Sequence, residues 1–138
     1  MTGGKIRTLV ERYVALFDND AMDAVGDLVS EDYVQHGAAS PVIGIAGFER
    51  RHVWVRTAFP DYRGTIDALI VEGDIAALRY TGKGTHKGLF LGVQPTGKKV
   101  SYSGMAFLRI ADGRVAEEWL CFDGLGLMQQ LGANRGGG

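Results

Sequence analysis

Tyr102-Ser103-Gly104-Met105-Ala106-Phe107-Leu108-Arg109-Ile110, then Ala111-Asp112-Gly113, then Arg114-Val115-Ala116-Glu117-Glu118-Trp119-Leu120-Cys121-Phe122-Asp123: this stretch decides the fold. An Asp-Gly turn between two apolar-rich runs is the signature of a β-hairpin, because both turn positions tolerate positive φ. With a period of two, one face of the second run carries Val115, Glu117, Trp119, Cys121 and Asp123. Turned toward a cavity, that face sets an aromatic wall beside Asp123 and holds a carboxylate against apolar surface, the setting of a general acid/base. Asp123 also precedes Gly124-Leu125-Gly126-Leu127, where it serves equally well as the cap of a terminal helix.

Upstream, the period of two continues. Thr65 to Val71 reads as a strand, Glu72-Gly73-Asp74 as a hairpin turn, and Ile75 to Thr85 as a second strand. A connection containing Gly88, Gly92 and Gly97 leads to a strand from Lys99 to Ile110. Before Pro60 the period is helical. Residues 5 to 18 stack Ile6, Val10, Tyr13, Val14 and Phe17 on one stripe. Asn19 or Asp20 caps a short second helix with Met22, Val25 and Leu28/Val29 inward and Asp23 near its positive end. Tyr33 to His36 reads as a brief strand. A third helix starts near Ile45, repeats Ile45, Phe48, His52, Val55 and Phe59, and stops at Pro60. Leu125 to Leu131 can close the chain as a turn or two of helix.

No repeat or linker interrupts this order, so residues 1–138 are expected to form one domain, with 135–138 a frayed tail. Helices followed by an antiparallel meander predict an α+β fold with helices on one face of a curved sheet. A strongly bent sheet under a helical lid encloses a cone-shaped pocket, with Gly82, Gly84 and Gly104 as expected bend points.

Composition narrows the function classes. A chain of 138 residues with 46% apolar content has room for one core and one small pocket. Its net charge of −1, with both signs interspersed, offers no basic stripe for nucleic acid. The apolar runs are too short to span a bilayer, and Met1 to Lys5 do not open a secretory signal. A single cysteine, Cys121, excludes an internal disulfide, and a cytoplasmic setting is expected.

Gly92-Val93-Gln94-Pro95-Thr96-Gly97-Lys98-Lys99 superficially matches a phosphate-binding loop. Lys99 stands where the magnesium-holding Ser or Thr belongs, and a strand follows instead of a helix, so it reads as a tight hairpin turn. The three histidines, His36, His52 and His86, lack the short spacing of a helical metal pair, and no metal is expected. His36 and His86, each at a strand end, suit hydrogen bonding or proton transfer at a pocket; His52 sits on the apolar stripe of the third helix. Asp123 would suppress a thiolate at Cys121, and no Ser-His-Asp set stands out.

The chain resembles the SnoaL-like polyketide (ester) cyclase family, within the nuclear-transport-factor-2-like cone-shaped barrels. The resemblance rests on Asp32-Tyr33-Val34-x-His36, Phe59-Pro60-Asp61, Glu72-Gly73-Asp74, Gly84-Thr85-His86-x-Gly88, Pro95-Thr96-Gly97-Lys98, Arg109-Ile110-x-Asp112-Gly113, Glu117-x-Trp119-x-x-x-Asp123 and Gln130-Leu131-Gly132. It implies a curved, mixed but mostly antiparallel sheet closed by N-terminal helices. It also implies a cofactor-free intramolecular aldol condensation of a polyketide ester, with Asp123 as acid/base and His86 and His36 in support. Trp119, Tyr33, His52, Phe59 and Tyr102 are then expected to line the site for a small hydrophobic or polycyclic substrate. His52 departs from the apolar residue expected at its helix position. The same scaffold hosts isomerases, dehydratases, epoxide hydrolases and non-catalytic binding proteins. A homodimer or homotetramer, joined through the open face of the sheet, is the expected assembly.

Overall fold

The computed structural model describes residues 1–18, 22–37 and 41–132. Helix α1 (Gly3–Ala15) is capped by Thr2, whose hydroxyl accepts from the Lys5 N–H, and it buries Ile6, Leu9, Val10 and Tyr13. Its last turn tightens into 3-10 form at Leu16–Asp18. Both proposed caps of the second helix, Asn19 and Asp20, lie outside the described residues, as does the expected tail. That helix is a 3-10 turn, Met22–Ala24, running into the short α2 (Val25–Leu28). Strand β1 (Val29–His36) is longer than the four residues the sequence suggests. A two-residue strand β2 (Val42–Ile43) and helix α3 (Gly44–Ala58) follow. The meander is β3 (Arg63–Glu72), β4 (Ile75–Thr85), β5 (Lys99–Ala111) and β6 (Arg114–Phe122), closed by α4 (Gly124–Gln130).

These strands form one curved, unclosed six-stranded sheet in the order β2-β1-β6-β5-β4-β3. Every pairing is antiparallel except β1 with β6. The parallel pair is the consequence of inserting helices between the first strand and the meander. Asp112 and Gly113 both take positive φ (52° and 74°), which matches the right-handed twist of the flanking strands and makes the β5–β6 hairpin tight. The presumed turn at Gly92–Lys99 differs from expectation. Phe90 and Val93 exchange two backbone hydrogen bonds in a small turn, and the chain then runs irregularly to Lys99.

Helices α1 and α3 cover the concave face. The main core joins Val10, Leu28, Val29, Phe48, Leu108 and Val115, all at most 2% exposed. A second, smaller cluster gathers Phe59, Tyr62, Phe90, Val100, Leu127 and Leu131 at the other end of the sheet. Among the described residues no helix is long and apolar enough to cross a membrane.

The glycines expected to bend the sheet serve a further purpose. Tyr80 pairs directly with Gly104, and Gly82 with Tyr102. A Cβ at Gly104 would lie 2.5 Å from the Tyr80 ring, and one at Gly82 would lie 2.6 Å from the Tyr102 ring. Each ring lies over the glycine opposite, so the missing side chains are what let two phenols fold down onto the concave face. At Gly84 a Cβ would press on Phe59 in the same way, at 2.9 Å.

Candidate functional site

Under α1 and α3, polar groups occupy positions that a simple core would fill with carbon. Glu118 points inward from β6 and is 7% exposed. The Tyr33 hydroxyl of β1 donates to Glu118 Oε1 at 2.9 Å, and the Tyr13 hydroxyl of α1 donates to the same oxygen. The two phenol oxygens are themselves 2.7 Å apart. Burial, reinforced by the charge of Glu118, raises both phenols above their ordinary range, so both remain hydrogen-bond donors. Three oxygens thus make three contacts, and with Glu118 ionised only two protons are available for them. A proton on Glu118 supplies the third, so the triangle can take up one proton without losing a hydrogen bond.

Arg51 of α3 supplies the opposite charge. Its Nη2 lies 3.8 Å from Glu118 Oε1. Its guanidinium is held against Phe17 and Phe48, 4.9 and 5.2 Å from their ring centroids. Burial alone would lower its pKa, but Tyr33, Tyr13 and Glu118 outweigh that and raise it, so Arg51 stays a cation. Arg51 Nη1 is buried and has no partner among the described residues. The same is true of Nε2 of Gln35, a residue 2% exposed. Gln35 stands directly opposite Glu118 in the β1–β6 register. Two buried donors without acceptors therefore flank one carboxylate. Unmet buried donors cost free energy, so each of these calls for an acceptor that the described residues do not supply.

The lining continues along the aromatic residues. Phe48 contacts Tyr13, Tyr33 and Phe17 at centroid distances of 5.6, 5.5 and 5.4 Å. Phe17 meets Tyr62 edge-on at 6.5 Å, and Tyr80 and Tyr102 pack edge to face at 6.1 Å. Burial raises all three of these tyrosines, which keeps their hydroxyls protonated. His52 Nε2 lies 2.9 Å from the Leu16 carbonyl and donates to it, and its ring packs on Phe17 at 5.8 Å, so it ties α3 to the end of α1. His86 is fully buried against Phe59 at 5.7 Å. The Thr96 N–H donates to His86 Nδ1, which selects the tautomer with its proton on Nε2. That Nε2 is a third buried donor without a partner among the described residues.

The face of β6 singled out by the sequence lies on the other side. Glu117, Trp119 and Cys121 point to the convex surface; Trp119 is 40% exposed and Cys121 is exposed. His36 is there too, stacked on Trp119 at 5.5 Å and 2.6 Å from Glu117 Oε2. Arg109 Nε donates to the other Glu117 oxygen at 3.1 Å. Asp123 is exposed and caps α4, accepting from the Gly126 N–H at 2.9 Å. Of the residues named from sequence, Tyr33, His52, Phe59, His86 and Tyr102 thus reach the concave side. His36 and Trp119 do not, and Asp123 stands at the strand's end. Sequence reasoning passed over Glu118, Tyr13, Arg51, Gln35 and Tyr80. One signal for them was present: Glu118 shares its phase with Ala116 and Leu120, and Tyr13 sits on the apolar stripe of α1.

A separate open groove of about 510 Å³ runs between α1 and β3, lined by Arg7, Glu11, Asp18 and Thr65. It holds none of the buried polar groups above. Among the described residues no group of three His, Cys, Asp or Glu side chains is placed to hold a metal ion.

A curved sheet half-wrapped around helices with a polar, tyrosine-rich interior defines the cone-shaped α+β class. A family model described as SnoaL-like polyketide cyclase matches residues 7–131, and the chain belongs to that family. Among solved structures it is similar to TsrD from Streptomyces laurentii, at 28% identity and a TM-score of 0.89, covering 96% of this chain and 98% of that one. AclR from Streptomyces galilaeus, a proposed hydroxylase, is 30% identical with a TM-score of 0.83 over 95% of this chain and 98% of that one. IdmH from Streptomyces antibioticus, a proposed polyketide cyclase, is 26% identical with a TM-score of 0.80 over 91% and 97%. No curated protein matches the sequence.

Proposed function

We propose that the protein closes a ring in a small, carbonyl-rich polyketide ester by acid/base catalysis without a cofactor, and that Glu118 is the acid/base. The observation that carries this reading is the interior carboxylate itself, held on one oxygen by Tyr13 and Tyr33 and beside Arg51. Glu118 takes a proton from a carbon flanked by carbonyls; the C–H bond breaks, and its electron pair moves to a carbonyl oxygen. The enolate carbon attacks a ketone carbon of the same molecule, forming the new C–C bond. The resulting alkoxide takes the proton back from Glu118. The tyrosines hold the carboxylate in place and adapt their hydrogen bonds as it gains and loses a proton. The aromatic interior orients the chain for closure and excludes water.

Asp123 with His36 and His86 is the second reading. It is supported by the resemblance alone, since Asp123 is exposed and its carboxylate already caps α4. The two readings separate in one experiment. Turnover of an anthraquinone-type polyketide methyl ester is measured for wild type, Glu118→Gln and Asp123→Asn, with folding checked by circular dichroism. Loss of about a hundredfold or more in Glu118→Gln alone supports the interior base. The same loss in Asp123→Asn alone moves the chemistry to the strand end. Binding without turnover by the wild type makes the protein a small-molecule binder.

The reading includes a cytoplasmic homodimer joined through the convex face. Met105, Phe107 and Trp119 are 61%, 56% and 40% exposed there, and Phe107 pairs directly with Trp119 across β5 and β6. Phe107→Lys is expected to shift the protein to a monomer in size-exclusion chromatography with light scattering.

A further inference from the structure

We infer that Gln35 Nε2 and Arg51 Nη1 form a subsite that binds a carbonyl oxygen of the ligand and holds it more tightly as the oxygen gains negative charge. Both atoms are buried donors without partners among the described residues, and both residues flank Glu118. The inference deepens the ring-closure reading and rests on it for the identity of the step, though not for the existence of the subsite.

Chemistry and geometry agree on what these donors want. Neither can accept a hydrogen bond at those nitrogens, so their partner is an acceptor oxygen. The Arg51 fork is clamped by Phe17 and Phe48 and turns its Nη2 edge toward Glu118, which leaves Nη1 for the ligand. In the resting site the charges of Arg51 and Glu118 offset each other, which suits a neutral carbonyl. When Glu118 removes the adjacent C–H proton, the negative charge leaves the carboxylate and arrives on the carbonyl oxygen. The guanidinium and the Gln35 N–H then face an anion, and donors fixed in advance favour that state most. The ligand class is a ketone or ester with an acidic neighbouring C–H, or a stable mimic of its enolate.

A phenol that becomes coloured on ionisation tests this. 4-Nitrophenol is titrated into the full chain and its phenolate band followed against pH. In wild type the bound phenol is expected to pass its proton to Glu118, as the C–H does in the proposed step, and so to show its phenolate band at lower pH than free nitrophenol. Affinity for the phenolate should fall about tenfold in Gln35→Met and further in Arg51→Met. Arg51→Met leaves Glu118 without its counter-charge and can lose stability on that account, so Gln35→Met carries the decision. Removing an unsatisfied buried donor should raise the Tm of the ligand-free protein while weakening binding. A Gln35 that only supports the fold would do the reverse: Gln35→Met would lower the Tm and leave nitrophenol affinity unchanged, which overturns the subsite. Failure of wild type to bind the phenolate overturns it as well. Phenolate binding that depends on both residues, without turnover of any polyketide ester, keeps the subsite and removes the ring-closure reading. Turnover insensitive to both substitutions does the opposite.

Discussion

Glu118 leaves β6 toward the helices, where two phenols and a clamped guanidinium surround it, while Glu117, one residue earlier, leaves toward solvent and meets His36 and Arg109. The two side chains are chemically identical, and both have hydrogen-bond donors and a cation at hand. They differ in what shields them. On the convex face of the single chain water reaches these charges, and the His36–Glu117–Arg109 set is a surface network of modest worth. On the concave face the same kinds of contact sit among aromatic rings, where each hydrogen bond is stronger and each missing partner costs more. Under the ring-closure reading, the two faces of the strand differ in catalytic capacity between residues one position apart.

Changes to the concave face should be felt most. Phe48→Ala removes the ring that supports Tyr13, Tyr33 and Arg51 together, and should cost about 3–5 kcal/mol in urea unfolding. Arg51→Met should cost about 3 kcal/mol by stranding the buried charge of Glu118, and the double variant with Glu118→Gln should recover part of that loss. A smaller penalty, about 1–3 kcal/mol, is expected for Gly82→Ala or Gly104→Ala, since the new methyl group must displace the ring opposite. A new packing of Tyr80 or Tyr102 would show in near-ultraviolet circular dichroism before it showed in the Tm.

The convex pair should give the smallest response, visible mainly through pH. The hydrogen bond from His36, followed by that from Arg109, holds the Glu117 carboxyl below its ordinary range. Lowered in the folded state, it contributes stability above the unfolded carboxylate range, and that stability fades as pH falls through the lowered value. Wild type and Glu117→Gln should therefore differ slightly in urea midpoint near neutral pH and converge in acid. A gap that widened in acid would show that the pair acts some other way.

The fold was legible because its signals are local. The change from helical to alternating period at Pro60, the Asp112-Gly113 turn and the stripe from Ile6 to Phe17 each depend on neighbours a few residues apart. Which face of β6 looks inward does not. Val115 and Ala116 are both buried, because the pairing of β6 shifts register near Val115 on both sides, and strict alternation fails there. The two faces also depart from a simple sheet at a few positions, although the buried face remains mostly apolar. Trp119, Phe107 and Met105 decorate the convex surface, while Glu118, Gln35 and the tyrosine hydroxyls occupy the interior. A rule that puts aromatic residues inside and carboxylates outside selects the wrong face here. Arg51 was hidden for a related reason: on its helix it reads as a surface cation, and only the approach of Phe17 and Glu118 from other elements makes it interior.

The most direct test of Glu118 as the interior base separates proton removal from ring closure. Exchange of the acidic C–H of a polyketide ester, or of a simpler β-keto ester, is followed by NMR in D₂O with wild type, Glu118→Gln and Asp123→Asn. The account predicts that wild type and Asp123→Asn catalyse deuterium incorporation and that Glu118→Gln slows it by about a hundredfold or more. Exchange undiminished in folded Glu118→Gln, or abolished in folded Asp123→Asn, would contradict it.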